Sequence, residues 1–481
     1  MEPITQGVSF KYCRLADELE AKVKAGIYNT GEKLPSLRKM HDQTGLSITT
    51  VYQAYVELEK RGLIQATQKS GFFIRPQLHD MLAAPDFKLV KSVPKKVTVS
   101  GLAYAIVKDM GDPSVLHLGG AAVMPDLLPL KQLARSIKAM PASKLKHLLA
   151  RYENPYGNTE LRKQIAKRMF PLPHSAAADE ILVTSGCVEA VNLCLQAVAQ
   201  AGDTVVVESP TYPWFLQLIE DLNMFALEIQ TNPQTGIDLQ ALEGALQRNT
   251  VKACLLVPNF HNPLGFEMPV EKKRRLVEIL TARKIPIIED NVYGELYFGR
   301  KRPVTLKALD KEGYVMYCAS FSKTLAPGLR VGWSMPGRFA ESVRRLKLNS
   351  TIASPTLNQQ VVAEFLKSGA YDRHLRQLRT ALKNQVTNTA LAIARHFPAD
   401  TKVTAPQGGL TLWVQLSPGL SGMRLYREAR KRNISIFPGI ICSTTKKYSN
   451  FIRISCGNPW SPKIESGIVG LADIIKNITV T

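Results

Sequence analysis

Ser320-Phe-Ser-Lys-Thr-Leu-Ala-Pro-Gly-Leu-Arg330 sets one lysine, Lys323, between two hydroxyls and an arginine, directly after an apolar run at 315–319 that reads as a strand. Four earlier segments are built the same way, each following a strand-like run. Thr184-Ser-Gly-Cys-Val-Glu-Ala190 follows 180–184 and opens a helix, so the backbone N–H groups of Gly186, Cys187 and Val188 face outward without intrahelical acceptors. Pro210-Thr-Tyr-Pro213 places Tyr212 after 204–208. Asn259-Phe-His-Asn-Pro-Leu-Gly265 places Asn262 after 252–258. Glu289-Asp-Asn-Val-Tyr293 puts Asp290 at the end of 285–289, with Tyr293 three residues on. Helical patterns long enough for right-handed crossovers separate these runs. The expectation is an α/β body with a mostly parallel sheet and a ligand outside the carboxyl ends of its strands.

The five segments meet one set of chemical demands. A pyridoxal phosphate site needs a lysine to form a Schiff base and a carboxylate to keep the pyridine nitrogen protonated, so that the ring can act as an electron sink. It also needs donors for the phosphate at a helix N-terminus, and an aromatic ring to stack on the cofactor. Lys323, Asp290, the Gly186–Val188 amides with Ser320, Ser322 and Arg330, and Tyr212 fill these places in order. From about 115 to 460 the chain resembles a class I aminotransferase of pyridoxal phosphate fold type I. The resemblance implies that Lys323 carries the cofactor, that Asp290 meets the pyridine nitrogen, and that Asn262 and Tyr293 meet the phenolic oxygen, with Lys323, Asp290 and Tyr293 as the catalytic set. It also makes Tyr152, in Arg151-Tyr-Glu-Asn-Pro-Tyr-Gly157, a phosphate ligand given by a partner subunit, which implies a homodimer. Arg453, in Phe451-Ile-Arg-Ile-Ser455, matches the family's arginine for an amino acid carboxylate, a task that suits a guanidinium fork. Cys187 and Glu189 depart from the family, whose members often have Ser or Ala and Gln there; neither change removes a backbone donor.

The N-terminal 75 residues follow a different logic. Leu15, Leu19 and Val23 mark a first helix over 12–26. Ser36 caps a second helix reaching about residue 43, and Ser47 caps a third over 48–60. Short strands at 63–66 and 72–74 turn near Ser70-Gly71. Three helices and a wing make a winged helix-turn-helix. In the third helix Val51, Tyr55 and Leu58 face inward, while Thr49, Thr50, Tyr52 and Gln53 face out, where hydroxyls and an amide reach phosphates and base edges. Residues 31–74 resemble the DNA-binding domain of the GntR family, in Gly31-x-x-Leu-Pro-Ser-x-Arg38, Gly45-Leu-Ser-x-x-Thr-Val-Tyr-x-Ala-Tyr55, Leu58-Glu-x-x-Gly-Leu-Ile64 and Ser70-Gly-x-Phe-Ile74. DNA contacts are expected from Arg38, Ser47, Thr49, Thr50, Tyr52 and the wing near Gly71. Many members have arginine where this chain has Ile48, so the expected operator preference differs.

A GntR-type head on an aminotransferase-like body resembles the MocR subfamily of bacterial regulators. The expected organisation is a head at 1–75, a proline-bearing linker at 76–113 with one short helix at 102–110, and an effector body at 114–481. The large domain is expected at about 145–345, the small α+β domain at about 346–481 with the body's N-terminal part. The resemblance implies operator DNA, an amino acid or amine effector, and heads swapped across a dimer. Three readings remain: a cofactor-dependent regulator with little turnover, a working aminotransferase with an added head, or a DNA-binding dimer without cofactor. Seven scattered cysteines without Cys-x-x-Cys spacing argue against disulfides and structural zinc, and no signal or membrane-spanning segment is evident, so a cytoplasmic protein is expected. The net charge of +22 suits a polyanionic partner, but residues 1–75 hold 11 basic and 8 acidic residues, leaving +19 on the rest.

Overall fold

A computed structural model describes residues 10–67, 70–75, 82–86, 92–98, 112, 114–169 and 177–479. It divides into two compact units, Met1–Leu82 and Ala83–Thr481. The expected helix at 102–110 lies outside the described residues.

The first unit packs helices Lys11–Lys24, Leu37–Thr44 and Ile48–Lys60 against an antiparallel hairpin of Ile64–Thr67 and Gly71–Ile74. The Ser36 hydroxyl accepts from the Lys39 amide and the Ser47 hydroxyl from the Thr50 amide, both at 3.2 Å, so both helices start where their caps dictate. Leu15, Leu19, Val51, Tyr55, Leu58 and Ile64 form the buried centre. The Tyr55 hydroxyl is not stranded there, since it donates to the Pro35 carbonyl at 2.8 Å. Arg61 fastens the third helix to the first through Asp17 at 2.8 Å and Glu20 at 2.9 Å.

The second unit is built on a nine-stranded sheet. Its parallel centre runs Phe225–Asn232, Thr204–Ser209, Ala253–Leu256, Ile287–Asp290, Val315–Ser320. Gly332–Met335 then runs antiparallel and Leu182–Thr184 closes that edge. Most of the central strands are buried on both faces, hence their largely apolar sequences. Two differences from the sequence reading have local causes. The expected strand at 180–184 starts later because Ala178–Glu180 turns as a 3-10 helix. The sequence also reads 408–415 as a strand, but the strand there is Thr411–Gln415, with Gly408 bridging Tyr297.

A smaller antiparallel sheet joins Lys402–Val403, Thr411–Gln415, Phe451–Ser455 and Phe437–Pro438. Leu116–His117 pairs with Ile434–Ser435, so the start of the body is tied to this region. Part of the stretch read as linker is tied to the body too: Lys95–Lys96 pairs with Phe225–Asn232, the Ala83 carbonyl accepts from the Val403 amide, and Asp86 pairs with Lys402. No described helix is long and apolar enough to cross a membrane.

Candidate cofactor site and nucleic-acid interface

Lys323, Asp290, Asn262 and Tyr212 sit just past, or at, the carboxyl ends of adjacent parallel strands, so the sheet brings together residues over 100 positions apart. Asp290 is buried, and its Oδ1 accepts from the Val292 amide at 2.9 Å and from the Cys187 thiol at 3.3 Å. Burial pushes its carboxyl pKa up, and those two hydrogen bonds and the charge of Lys323 pull it back. Burial, and then the charge of Asp290, hold the Cys187 thiol well above its ordinary value, so it stays a proton donor.

The Lys323 ammonium donates to the Ala121 carbonyl at 2.6 Å. Burial first, then the nearby Arg453 guanidinium, lower its pKa to about 8, with Asp290 opposing. A lysine so placed loses its proton around pH 8, below the ordinary lysine range, and then becomes a nucleophile. Arg453 is 2% exposed and donates to Asn262 Oδ1 at 2.8 Å and to the Gly119 carbonyl at 2.7 Å. Its face lies 3.9 Å from the Phe437 ring centroid, and its Nε is buried without a partner among the described residues. Asn262 Nδ2 in turn donates to the Tyr293 hydroxyl at 3.4 Å. Tyr212 packs edge-on against Phe215 at 5.4 Å, and burial raises its phenol to about 12.

The anion end is formed by helix Cys187–Val198 and the turn after Lys323. Gly186 caps that helix at φ 103, and a Cβ there would lie 2.3 Å from Arg330 Nη2, so only glycine fits. Arg330 donates to the Ser185 carbonyl at 2.7 Å and to the Ser322 hydroxyl at 3.3 Å, and the Ser320 hydroxyl accepts from the Ser322 amide at 3.4 Å. Guanidinium, hydroxyls and a helix N-terminus thus converge, the donor set a phosphate requires. A buried carboxylate, a depressed lysine and a phosphate cradle at neighbouring strand ends fit pyridoxal phosphate. Tyr152 is 86% exposed and is not drawn into this cluster by its own chain.

Two parts of the site were not read from the sequence. The Gly119 and Ala121 carbonyls hold Arg453 and Lys323; the hint was Gly119-Gly-Ala-Ala122, where a Cβ on Gly119 would sit 2.8 Å from the Ile436 backbone. The second is Lys347, 1% exposed, which donates to both Glu189 oxygens and to the Ser354 hydroxyl at 3.0 Å. Glu189 also accepts from the Ser185 amide, so this ion pair braces the phosphate turn.

On the first unit, Arg38, Thr49, Tyr52 and Gln53 are exposed on the second and third helices. Ser47 and Thr50 are spent on each other: their hydroxyls lie 2.8 Å apart while Ser47 caps the helix. They shape the helix start before they meet any ligand. Gly71 is half-buried beside Lys33, which adds a cation near the turn end of the wing. Removing a phosphate-contacting cation lowers the salt dependence of DNA binding by about one unit of slope. Arg38→Ala is therefore expected to weaken duplex binding, with log K against log salt flattening by about 1. An unchanged slope in fluorescence anisotropy would remove Arg38 from the interface.

Residues 124–465 match the family described as aminotransferase class I and II, and residues 11–74 the bacterial regulatory proteins of the gntR family. The chain is 39% identical to the uncharacterized HTH-type transcriptional regulator YdcR of Escherichia coli over 97% of its own length and 99% of that protein's. It is 30% identical to the 2-aminoadipate transaminase of Thermus thermophilus, over 76% of this chain and 91% of the transaminase. Among solved structures it is similar to LysN, an α-aminoadipate aminotransferase from Thermus thermophilus complexed with N-(5'-phosphopyridoxyl)-L-leucine. The TM-score is 0.73 at 27% identity, covering 80% of this chain and 96% of that one.

Proposed function

Because the chain belongs to the aminotransferase class I and II family and carries a gntR-family head, we propose that it is a MocR-type transcriptional regulator that takes pyridoxal phosphate on Lys323 and reads an amino acid or amine there. The observation that carries this is a depressed, buried lysine beside Asp290 and Arg453 in a chain that also has a winged helix-turn-helix. When bound, pyridoxal phosphate supplies an electrophilic carbon and an electron-withdrawing ring. Asp290 holds the proton on the pyridine nitrogen, and Asn262 and Tyr293 meet the phenolic oxygen. Gly186, Cys187 and Val188 offer backbone amides to the phosphate, with Ser320, Ser322 and Arg330 around it and Tyr152 of a second copy completing the cradle. Tyr212 covers the ring.

Arg453 supports a carboxylate-bearing effector. Its fork now holds the Gly119 carbonyl and Asn262, so an arriving carboxylate exchanges those bonds for its own. Gly119 adjoins the strand paired with Ile434–Ser435, so this exchange bears on the small sheet's side of the body. A coupling of about 1–3 kcal/mol between effector and DNA is the usual size of such a linkage. The protein then works in the cytoplasm as a homodimer with exchanged heads on operator DNA. Retention of the full donor set favours a second reading, a working aminotransferase, which steady-state amino-transfer assays would detect.

The deciding experiment loads the full chain with pyridoxal phosphate, removes the excess and follows visible absorption while amino acids and amines are added, with and without duplex DNA. Wild type is expected to keep the absorbance and to change it with one effector, and Lys323→Ala to lose both. A wild-type chain that keeps no cofactor, or a Lys323→Ala chain whose DNA binding still answers the effector, would defeat the proposal.

A further inference from the structure

Part of the excess charge of the body is concentrated in one stretch. Between residues 127 and 152 stand six Lys or Arg and no Asp or Glu. Helix Leu130–Lys138 carries three of them, Lys131, Arg135 and Lys138, at i, i+4 and i+7, within about 60° of arc and over about 10 Å. All three are exposed, as is Lys146 on helix Ala142–Ala150. The opposite side of the first helix is apolar and anchored by buried Leu133, so the stripe keeps its orientation toward solvent.

Several basic side chains on other helices of the body are compensated. Arg274 pairs with Glu271, Arg275 with Glu243 and Glu278, and Lys431 with Glu428. In the acid-free window only Lys144 has a carboxylate, Glu364; among the described residues none pairs with Lys131, Arg135, Lys138 or Lys146. An uncompensated row of cations repels itself unless a polyanion lies along it.

We propose that this stripe is a second DNA-backbone contact, in which Lys131, Arg135, Lys138 and Lys146 meet duplex phosphates without reading bases. The inference rests on the reading that the head binds DNA, since the covalent tether then holds the body at high local concentration near the duplex. It gives a reason for four of the +19 carried outside the head, whose own +3 is modest for a DNA-binding domain.

The test uses the full chain and a random-sequence duplex of about 40 base pairs, because phosphate contacts need no operator. Lys131→Gln/Arg135→Gln/Lys138→Gln keeps helix propensity and is expected to flatten the slope of log K against log salt by about 2–3, at roughly 0.9 per lost contact. Lys252→Gln/Lys284→Gln/Lys311→Gln, an equal loss of exposed charge elsewhere, is expected to leave the slope unchanged. An equal drop in the two triple variants would overturn the proposal in favour of a net-charge effect. So would an unchanged slope in the first, or a stripe-dependent attachment to phosphatidylglycerol vesicles with the DNA slope intact. Wild-type chain that binds no duplex, or Arg38→Ala without effect, indicts the DNA-binding reading; a normal Arg38 response with a silent stripe variant indicts this inference alone.

Discussion

Glu189→Gln is expected to destabilise the body by about 3–5 kcal/mol, because it strands the Lys347 ammonium at 1% exposure. Lys347 spends its three donors on the two Glu189 oxygens and Ser354, all at 3.0 Å. An amide in place of the carboxylate keeps one acceptor and removes the charge, so the ammonium loses the partner that offset its desolvation. Lys347→Met removes that buried charge, so adding it to Glu189→Gln is expected to recover most of the loss. A pair replaced as a unit by neutral groups is often neutral in stability, whereas a pair broken on one side is not. Urea unfolding of the two single variants and the double variant gives the cycle. A Glu189→Gln cost under about 1 kcal/mol would show that the pair is a surface-type interaction.

The same cycle bears on the cofactor. Glu189 holds the Ser185 amide, and Ser185 and Gly186 form the turn that Arg330 packs against. Lys347→Met alone leaves a negative charge one helical turn from the proposed phosphate site. Faster loss of pyridoxal phosphate is expected there, and slower loss again when Glu189→Gln is added. Glu189, a departure from the usual glutamine, is thereby tied to Lys347 as a compensated exchange of charge.

Lys323, Asp290, Asn262 and Tyr212 were legible because each stands where an apolar strand stops, and strand ends are where this architecture exposes side chains. The caps of the head were legible for a similar reason: Ser36 and Ser47 are residue types whose hydroxyls compete for backbone amides, and they do so here. That same chemistry draws Ser47 and Thr50 into the cap, a use their sequence positions alone do not separate from DNA contact. Lys347 was not legible, since it is one lysine among many on a helix and its partner lies 158 positions away. Nor were the Gly119 and Ala121 carbonyls, because a backbone oxygen leaves no mark in residue type. Strand Phe225–Asn232, the longest of the parallel centre, was hard to single out because its Glu228 and Gln230 interrupt the apolar run. Glu228 is spent on the hydroxyls of Ser209 and Ser443, which only the fold brings near.

Uptake of pyridoxal phosphate by the cofactor-free protein is expected to rise about tenfold per pH unit up to about pH 8 and then level, because only the neutral Lys323 amine attacks a carbonyl. Stopped-flow absorbance from pH 6 to 9 measures this, and a flat profile would mean that Lys323 is not the reacting group. The same depressed value has a stability consequence of definite sign. Below pH 8 the folded and unfolded chains both hold the proton, and the folded one bears the whole cost of a buried ammonium beside Arg453. Between about 8 and the ordinary lysine value of 10.5 the unfolded chain binds more protons, so stability rises with pH across that window. The gap corresponds to on the order of 3 kcal/mol. Lys323→Met is therefore expected to stabilise the cofactor-free protein at pH 7, with the advantage shrinking above pH 8 and gone by about 10.5. A lysine kept at that cost belongs to a site shaped for binding rather than for stability. A Lys323→Met protein less stable than wild type at pH 7 would show that the hydrogen bond to Ala121 outweighs the buried charge.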